Sequence, residues 1–331
     1  MPSDLQQARV LTAEDLGIPL PANEVSVPQL DAAAPAVSSD DPFVLTVAQL
    51  LERNGGVLLS GAPGTGKSWW AQRIAEVLAP DGADRSFVQF HASYQYEDFI
   101  YGYVPNAYPK PGEASFIGRK AIFLQACERA EHIAPKPFVL VIDEFSRADV
   151  GRVFGEALTY IEDTKRGRKF RIAADVEVSV PKNLYILATM NPYDRGVDEV
   201  DAAFERRFAR LELDPDPKWV EDKLLATSLP PQVVKRVLAW FGDINSKANQ
   251  RDAPFAALGH AYFKSVVDLS SLRDLWDYQL QFHVRRAFRL NAERQDHYES
   301  GWSKIFRDVE GGVDGQSEPD QNGVSEPEAA S

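Results

Sequence analysis

Short apolar runs and amphipathic stretches alternate through the middle of the chain. Residues 57–59 (Val-Leu-Leu) form an apolar strand that runs into a glycine-rich turn, and residues 69–78 then carry helical spacing. Residues 87–90 read as a second strand, 121–132 as a helix, 138–142 as a strand apolar on both faces and 150–163 as a helix. Residues 184–188 and 208–213 read as the last two strands. Continuous apolar strands separated by helices predict a parallel sheet covered on both faces. From about Pro215 onward the strand pattern stops, and residues 220–229, 231–241 and 272–290 read as helices. The predicted fold class is therefore an α/β sheet core followed by a small α-helical domain.

The two ends differ from this middle. Residues 1–42 are rich in Ala, Pro, Ser and Asp and read as a low-complexity arm with at most a short helix near residues 4–10. Residues 311–331 are Gly-, Ser-, Pro- and acid-rich, with too little apolar surface to drive folding, and are expected to be a disordered acidic tail. The α/β domain is placed at 43–214 and the helical lid at 215–310.

Composition narrows the function. The formal net charge of −13 repels nucleic-acid phosphates on average, so DNA contact is expected only indirectly or through a local basic element. The single Cys127 excludes an internal disulfide and reads as a buried apolar side chain. No run approaches the length of a membrane span, and the first residues lack the basic-then-apolar pattern of a secretory signal. The expected location is the cytoplasm.

The chemistry is concentrated at strand ends. Gly61-Ala62-Pro63-Gly64-Thr65-Gly66-Lys67-Ser68 fits the P-loop pattern without a mismatch. Glycines let backbone N–H groups turn toward phosphate oxygens, and the following helix offers its positive end to the same charge. Lys67 is placed to reach the β- and γ-phosphates, and the Ser68 hydroxyl to ligate Mg²⁺. The strand Phe138-Val-Leu-Val-Ile ends in Asp143-Glu144. Asp143 is expected to hold the same Mg²⁺ and Glu144 to activate the attacking water. Asn191 ends the strand Leu-Tyr-Ile-Leu-Ala-Thr-Met and is expected level with Glu144. Arg206-Arg207 precede the last strand, either as a charge-stabilising finger or as a salt-bridged surface pair. Lys165, Arg166, Arg168, Lys169 and Arg171 put five positive charges into seven residues, with a hairpin-like arm at 176–180. That element is either a solvated turn balanced by Glu156, Glu162 and Asp163, or a hairpin that contacts an acidic ligand.

In this order the motifs resemble an AAA+ module, and several segments resemble its McrB-like, dynein-related branch. These are residues 87–99 (Phe-Val-Gln-Phe-His-Ala-Ser-Tyr-Gln-Tyr-Glu-Asp-Phe), Asp143-Glu144-Phe-Ser-Arg147-Ala, Gly155-Glu156-Ala-Leu with Ile161-Glu162-Asp163, Met190-Asn191-Pro-Tyr-Asp194-Arg195 and Leu258-Gly259-His260-Ala261-Tyr262-Phe263. The resemblance covers roughly residues 45–290. It implies a P-loop parallel sheet with a helical lid, a homo-oligomeric, hexameric ring with Mg-nucleotide at subunit interfaces, and a separately encoded effector of nuclease type. By the same resemblance Asn191 is a sensor, Asp194 belongs to the nucleotide-binding signature loop, and Arg206 or Arg207 acts in trans. The branch uses ATP or GTP; the breadth of AAA+ usage favours ATP. Arg285 and Arg286 are candidates for a sensor arginine in the lid. The short arm before residue 43 implies that reading of modified DNA lies elsewhere. The alternative role is a MoxR-like remodelling chaperone. A small-molecule kinase fits less well, because Glu144 follows Asp143 directly.

Overall fold

The computed structural model describes residues 37–107, 114–192, 204 and 206–307. The expected short helix at 4–10, the acidic tail and Asp194 lie outside these residues. The chain forms two compact units, one containing Lys67–Glu212 and the residues up to Gly61, the other containing Ala62–Gly66 and the chain from Leu213.

The first unit opens with helix α1 (Pro42–Arg53), which the sequence pattern did not mark. Asp41 caps it by accepting from the N–H groups of Phe43 and Val44, with Pro42 in the first turn where its missing N–H costs nothing. Strand β1 (Gly56–Gly61) leads through the P-loop to α2 (Lys67–Leu78), and β2 (Arg85–Gln89) follows. Helix α3 (Tyr96–Phe99) precedes an antiparallel hairpin of β3 (Tyr101–Pro105) and β4 (Phe116–Lys120). Then come α4 (Ile122–Ile133), β5 (Phe138–Asp143), α5 (Val150–Phe154) and α6 (Ala157–Tyr160). A second small hairpin pairs β6 (Lys169–Arg171) with β7 (Glu177–Ser179), and β8 (Leu184–Met190) and β9 (Phe208–Leu213) complete the strands among the described residues.

The five-stranded sheet runs β2-β5-β8-β1-β9. The pairs β2/β5, β5/β8 and β1/β8 are parallel. Residues 138–142 and 57–60 are fully buried, as strands covered on both faces require. The register pairs Gln89 with Asp143, Ile142 with Ala188 and Ser60 with Met190, so the carboxyl ends of the middle strands finish level with one another. Polar groups that follow these strands therefore emerge along one edge.

The expected helix over 150–163 is two short helices, α5 and α6. The break is Gly155, held at φ +50, where the Tyr96 ring lies so close that a Cβ would meet its Cε2 at 2.7 Å. The apolar spacing continued through this point, but the ring leaves no room for a straight helix. The hairpin β3–β4 was likewise not legible, since neither strand is buried enough to carry strict alternation.

The second unit is helical: α7 (Pro217–Leu225), α8 (Pro231–Ile244), α9 (Lys247–Asp252), α10 (Leu269–Leu275), α11 (Gln281–Ala287) and α12 (Ala292–Ser303). Val233, Val234, Val237, Trp240, Phe241 and Ile244 form the buried stripe of α8, at helical spacing. The expected helix over 272–290 starts at Leu269 and passes through one π-helical turn, Trp276–Leu280, before α11. Trp240, Trp276 and Trp302 pack against one another with centroids 4.9–6.1 Å apart and, with Phe241 and Phe263, fill the core of this unit.

Candidate functional site

The P-loop conformation follows from its glycines. Gly64 and Gly66 hold φ of +79° and +81°, a region that L side chains rarely adopt. Thr65 is buried, and its hydroxyl donates to the Ala62 carbonyl at 2.9 Å. Lys67 and Ser68 open α2. The Ser68 hydroxyl donates to Asp143 Oδ1 at 2.7 Å, across 75 residues of sequence.

The same carboxylate accepts a second hydrogen bond from the Thr189 hydroxyl. Thr189 Oγ1 in turn accepts from the Glu144 backbone N–H at 3.3 Å. The parallel register explains this: Ile142 pairs with Ala188, so the next residue of each strand meets at the edge. Thr189, two positions before Asn191, thus takes the place beside the acidic pair. Its only sequence signal was a hydroxyl within an otherwise apolar strand end.

Glu144 adopts left-handed backbone angles, φ 54° and ψ 41°. For a non-glycine residue this conformation costs ~1–3 kcal/mol and persists only where the surroundings impose it. Phe145 supplies the constraint. It is fully buried, with its ring 5.4 Å from those of Phe204 and Phe208 and about 6 Å from Phe90 and Phe154. Anchoring Phe145 inward forces the chain to turn at Glu144. The Glu144 carboxylate pairs with Arg147 Nε at 3.0 Å. Asn191 is buried directly after β8.

The two arginines separate. Phe204 and Phe208 are both buried and pin the chain on either side, and the Arg207 N–H donates to the Phe204 carbonyl at 2.8 Å. Arg206 is exposed, whereas the Arg207 side chain is only 9% exposed and lies 3.6 Å from Glu162. In the helical unit Arg285 pairs with Glu299 at 3.0 Å and Arg286 is exposed.

Four of the five basic side chains are engaged within the chain, and Arg168 is exposed. Lys165 meets Glu162, Lys169 meets Glu177 and Arg171 meets Asp175. Arg166 is buried and donates to the carbonyls of Ile161, Pro181, Leu184 and Gly55. Burial lowers its pKa to about 10, and the guanidinium remains charged at neutral pH. The hairpin is therefore present, but most of its positive charge is spent within the chain.

A glycine-rich turn whose serine meets a strand-end aspartate, on a parallel sheet with this strand order, defines a P-loop domain of the AAA type. Residues 56–208 match the model of the AAA domain, dynein-related subfamily. The chain is 32% identical over 231 residues to the "Type IV methyl-directed restriction enzyme EcoKMcrB subunit" of Escherichia coli (strain K12), covering 66% of this chain and 49% of that protein. It is 28% identical over 254 residues to the "Type II restriction enzyme BsuMI component YdiS" of Bacillus subtilis (strain 168), covering 64% of this chain and 73% of that protein. Residues 56–208 thus carry an AAA domain of the dynein-related subfamily, and the chain is similar to restriction-system subunits of the McrB kind. It spans about half the length of the Escherichia coli relative. Among the described residues no helix is long and apolar enough to cross a membrane.

Proposed function

We propose that this chain is a nucleoside-triphosphate hydrolase that works as the motor or switch of a restriction-type assembly. The reading rests above all on the Ser68–Asp143 hydrogen bond, which brings the P-loop serine and the strand-end acid to one point beside Glu144. Two oxygen donors meeting there suit Mg²⁺, a hard cation that takes few protein ligands and shares the rest with phosphate and water. Bound there, Mg²⁺ would offset charge on the phosphate oxygens. The P-loop N–H groups and Lys67 bind the phosphates, Glu144 takes the proton of the attacking water, and Asn191 orients it. Asp194, from the branch's signature loop, completes the nucleotide contacts. ATP is the nucleotide proposed, with GTP the alternative that a direct assay separates.

Arg206 is the residue proposed to act on a neighbouring subunit's nucleotide, because it is exposed, while Arg207 is buried beside Glu162. In this reading the chain works in a homo-oligomer, a hexameric ring, with a nuclease-type effector as partner. Both relatives are described as parts of restriction enzymes, which supports that partnership. Direct DNA contact by the basic hairpin forms no part of the proposal, since Lys165, Lys169 and Arg171 are ion-paired within the chain and Arg166 is buried.

The test is Glu144→Gln. The amide keeps the shape and loses the base, so nucleotide binding should survive while turnover falls by ~10²-fold or more. Turnover at the wild-type rate would remove Glu144 from the mechanism. Hydrolysis of Mg-ATP and Mg-GTP side by side identifies the base.

A further inference from the structure

We propose that the segment Leu258–Tyr262 is a strap that sets the P-loop for phosphate, with Gly259 as its positioning residue. The inference rests on the P-loop reading above and adds an element outside the P-loop and acidic-pair motifs.

The strap lies against Pro63 and Gly64 of the loop. The Gly259 N–H donates to the Pro63 carbonyl at 2.9 Å, and the Ala261 N–H donates to the Gly64 carbonyl at 2.9 Å. In a trans peptide the C=O and the next residue's N–H point in opposite directions. Holding the carbonyls of Pro63 and Gly64 toward the strap therefore turns the N–H groups of Gly64 and Thr65 away from it. The Thr65 N–H reaches the Ala62 carbonyl only at 3.4 Å, a long contact that a phosphate oxygen would replace at little cost.

The approach leaves no space at Gly259. A Cβ there would lie 1.9 Å from the Gly64 carbonyl carbon and 2.2 Å from its oxygen. These are backbone atoms, so the clash is relieved only by moving the loop. The Gly259 φ of −73° is open to any residue; glycine is required here by contact and not by conformation. The Tyr262 ring covers Gly64, where a Cβ would meet it at 3.1 Å.

The strap is itself firmly mounted. The Asn245 side chain accepts from the Leu258 N–H at 2.8 Å and donates to the Leu258 carbonyl at 3.0 Å. His260 Nδ1 accepts from the Asp216 N–H at 3.2 Å. Leu258 is fully buried. A support fixed at Leu258 and His260 holds the loop in one conformation before ligand arrives, which lowers the ordering cost of binding.

The experiment measures Mg-ATP, Mg-GTP and Mg-tripolyphosphate binding to the full chain carrying Gly259→Ala, Ala261→Pro or the control Gly242→Ala. A Cβ on Gly242 has nothing within 4 Å. Ala261→Pro removes the N–H that holds the Gly64 carbonyl and sets its ring Cδ in the hydrogen's place, so it perturbs the same contact without touching Gly259 and serves as a second, independent variant. Gly259→Ala is expected to weaken binding at least tenfold, and Ala261→Pro severalfold, with melting temperatures near wild type. The loss should be equal for the nucleotides and for tripolyphosphate, because the strap acts on the phosphate loop and not on the base. A merely structural role would lower the melting temperature and leave the affinity of the folded fraction unchanged. Wild-type affinity in a folded Gly259→Ala or Ala261→Pro protein would overturn the strap. Absence of any Mg-nucleotide binding by the wild-type chain would instead overturn the P-loop reading on which it rests.

Discussion

The Thr189 hydroxyl donates to the Asp143 carboxylate from the neighbouring parallel strand, and the same oxygen accepts the Glu144 N–H. One hydroxyl thus fixes the carboxylate that faces Ser68 and the backbone of the residue proposed as base. Thr189→Val keeps the shape and removes both bonds. Turnover should fall ~10-fold or more at saturating nucleotide, with a smaller change in KM, as expected where an interaction matters most in the transition state. Unchanged steady-state kinetics would show that Thr189 only fills space.

Arg206 and Arg207 are adjacent in sequence and differ in burial, so their substitutions should separate. Arg206→Ala should reduce turnover by ~10³-fold, the scale of a charge-stabilising arginine, and leave nucleotide binding and stability near wild type. Arg207→Ala should lower stability, because it empties a buried position beside Glu162. Mixing Arg206→Ala with Lys67→Ala protein tests action in trans. Some interfaces of a mixed ring pair an intact P-loop with an intact arginine, and partial activity should return. Mixed oligomers that stay inactive would place Arg206 outside the neighbour's chemistry.

Arg166 should be a stability residue. Its guanidinium serves four backbone carbonyls, including those of Gly55 just before β1 and Leu184 at the start of β8. Arg166→Met removes every one of these donors while keeping much of the volume. Buried acceptors left unsatisfied cost 1–3 kcal/mol apiece, so the loss in denaturant titrations should reach ~3 kcal/mol or more. A midpoint equal to wild type would refute the assignment.

His283 makes the helical unit sensitive to acid. Its Nε2 lies 3.0 Å from the Ala256 carbonyl and its Nδ1 is buried with no hydrogen-bond partner. Burial, chiefly, and the nearby Arg286 charge lower its pKa below 6.5 in the folded chain. The unfolded chain binds the proton more readily, so this contribution is complete above about pH 6.5 and is lost as pH falls below it. His283→Gln keeps a donor for Ala256 and cannot titrate. Between about pH 7.5 and about pH 5.5 its melting temperature should fall less than that of the wild type. Parallel curves would rule out His283 as a contributor.

Much of the fold was legible because its signals are local. Buried parallel strands must be apolar on both faces, and residues 57–59, 138–142 and 184–188 declare this without reference to anything distant. The P-loop is equally local, since each glycine answers to its own backbone angle. The helix break at Gly155 was not legible, because it depends on a ring contributed by Tyr96, nearly 60 residues earlier. The π-helical turn at 276–280 was hidden for a related reason: Leu272, Trp276 and Leu280 fit ordinary helical spacing in the sequence, and the five-residue step from buried Leu275 to buried Leu280 exists only in the packing.

By itself the sequence determined the α/β class and the places of the glycine-rich turn and of Asp143-Glu144 at strand ends, because chain direction and residue type are local properties. Tertiary structure decided which neighbours serve them. Strand register selected Thr189 to sit beside Asp143, and two buried phenylalanines left Arg206 exposed where Arg207 is not. Packing turned most of a basic run into internal ion pairs and one buried anchor. It also brought Gly259 against Gly64, nearly 200 residues away, at a distance only glycine permits. These outcomes depend on distances between segments remote in sequence, and such distances exist only once the chain has folded.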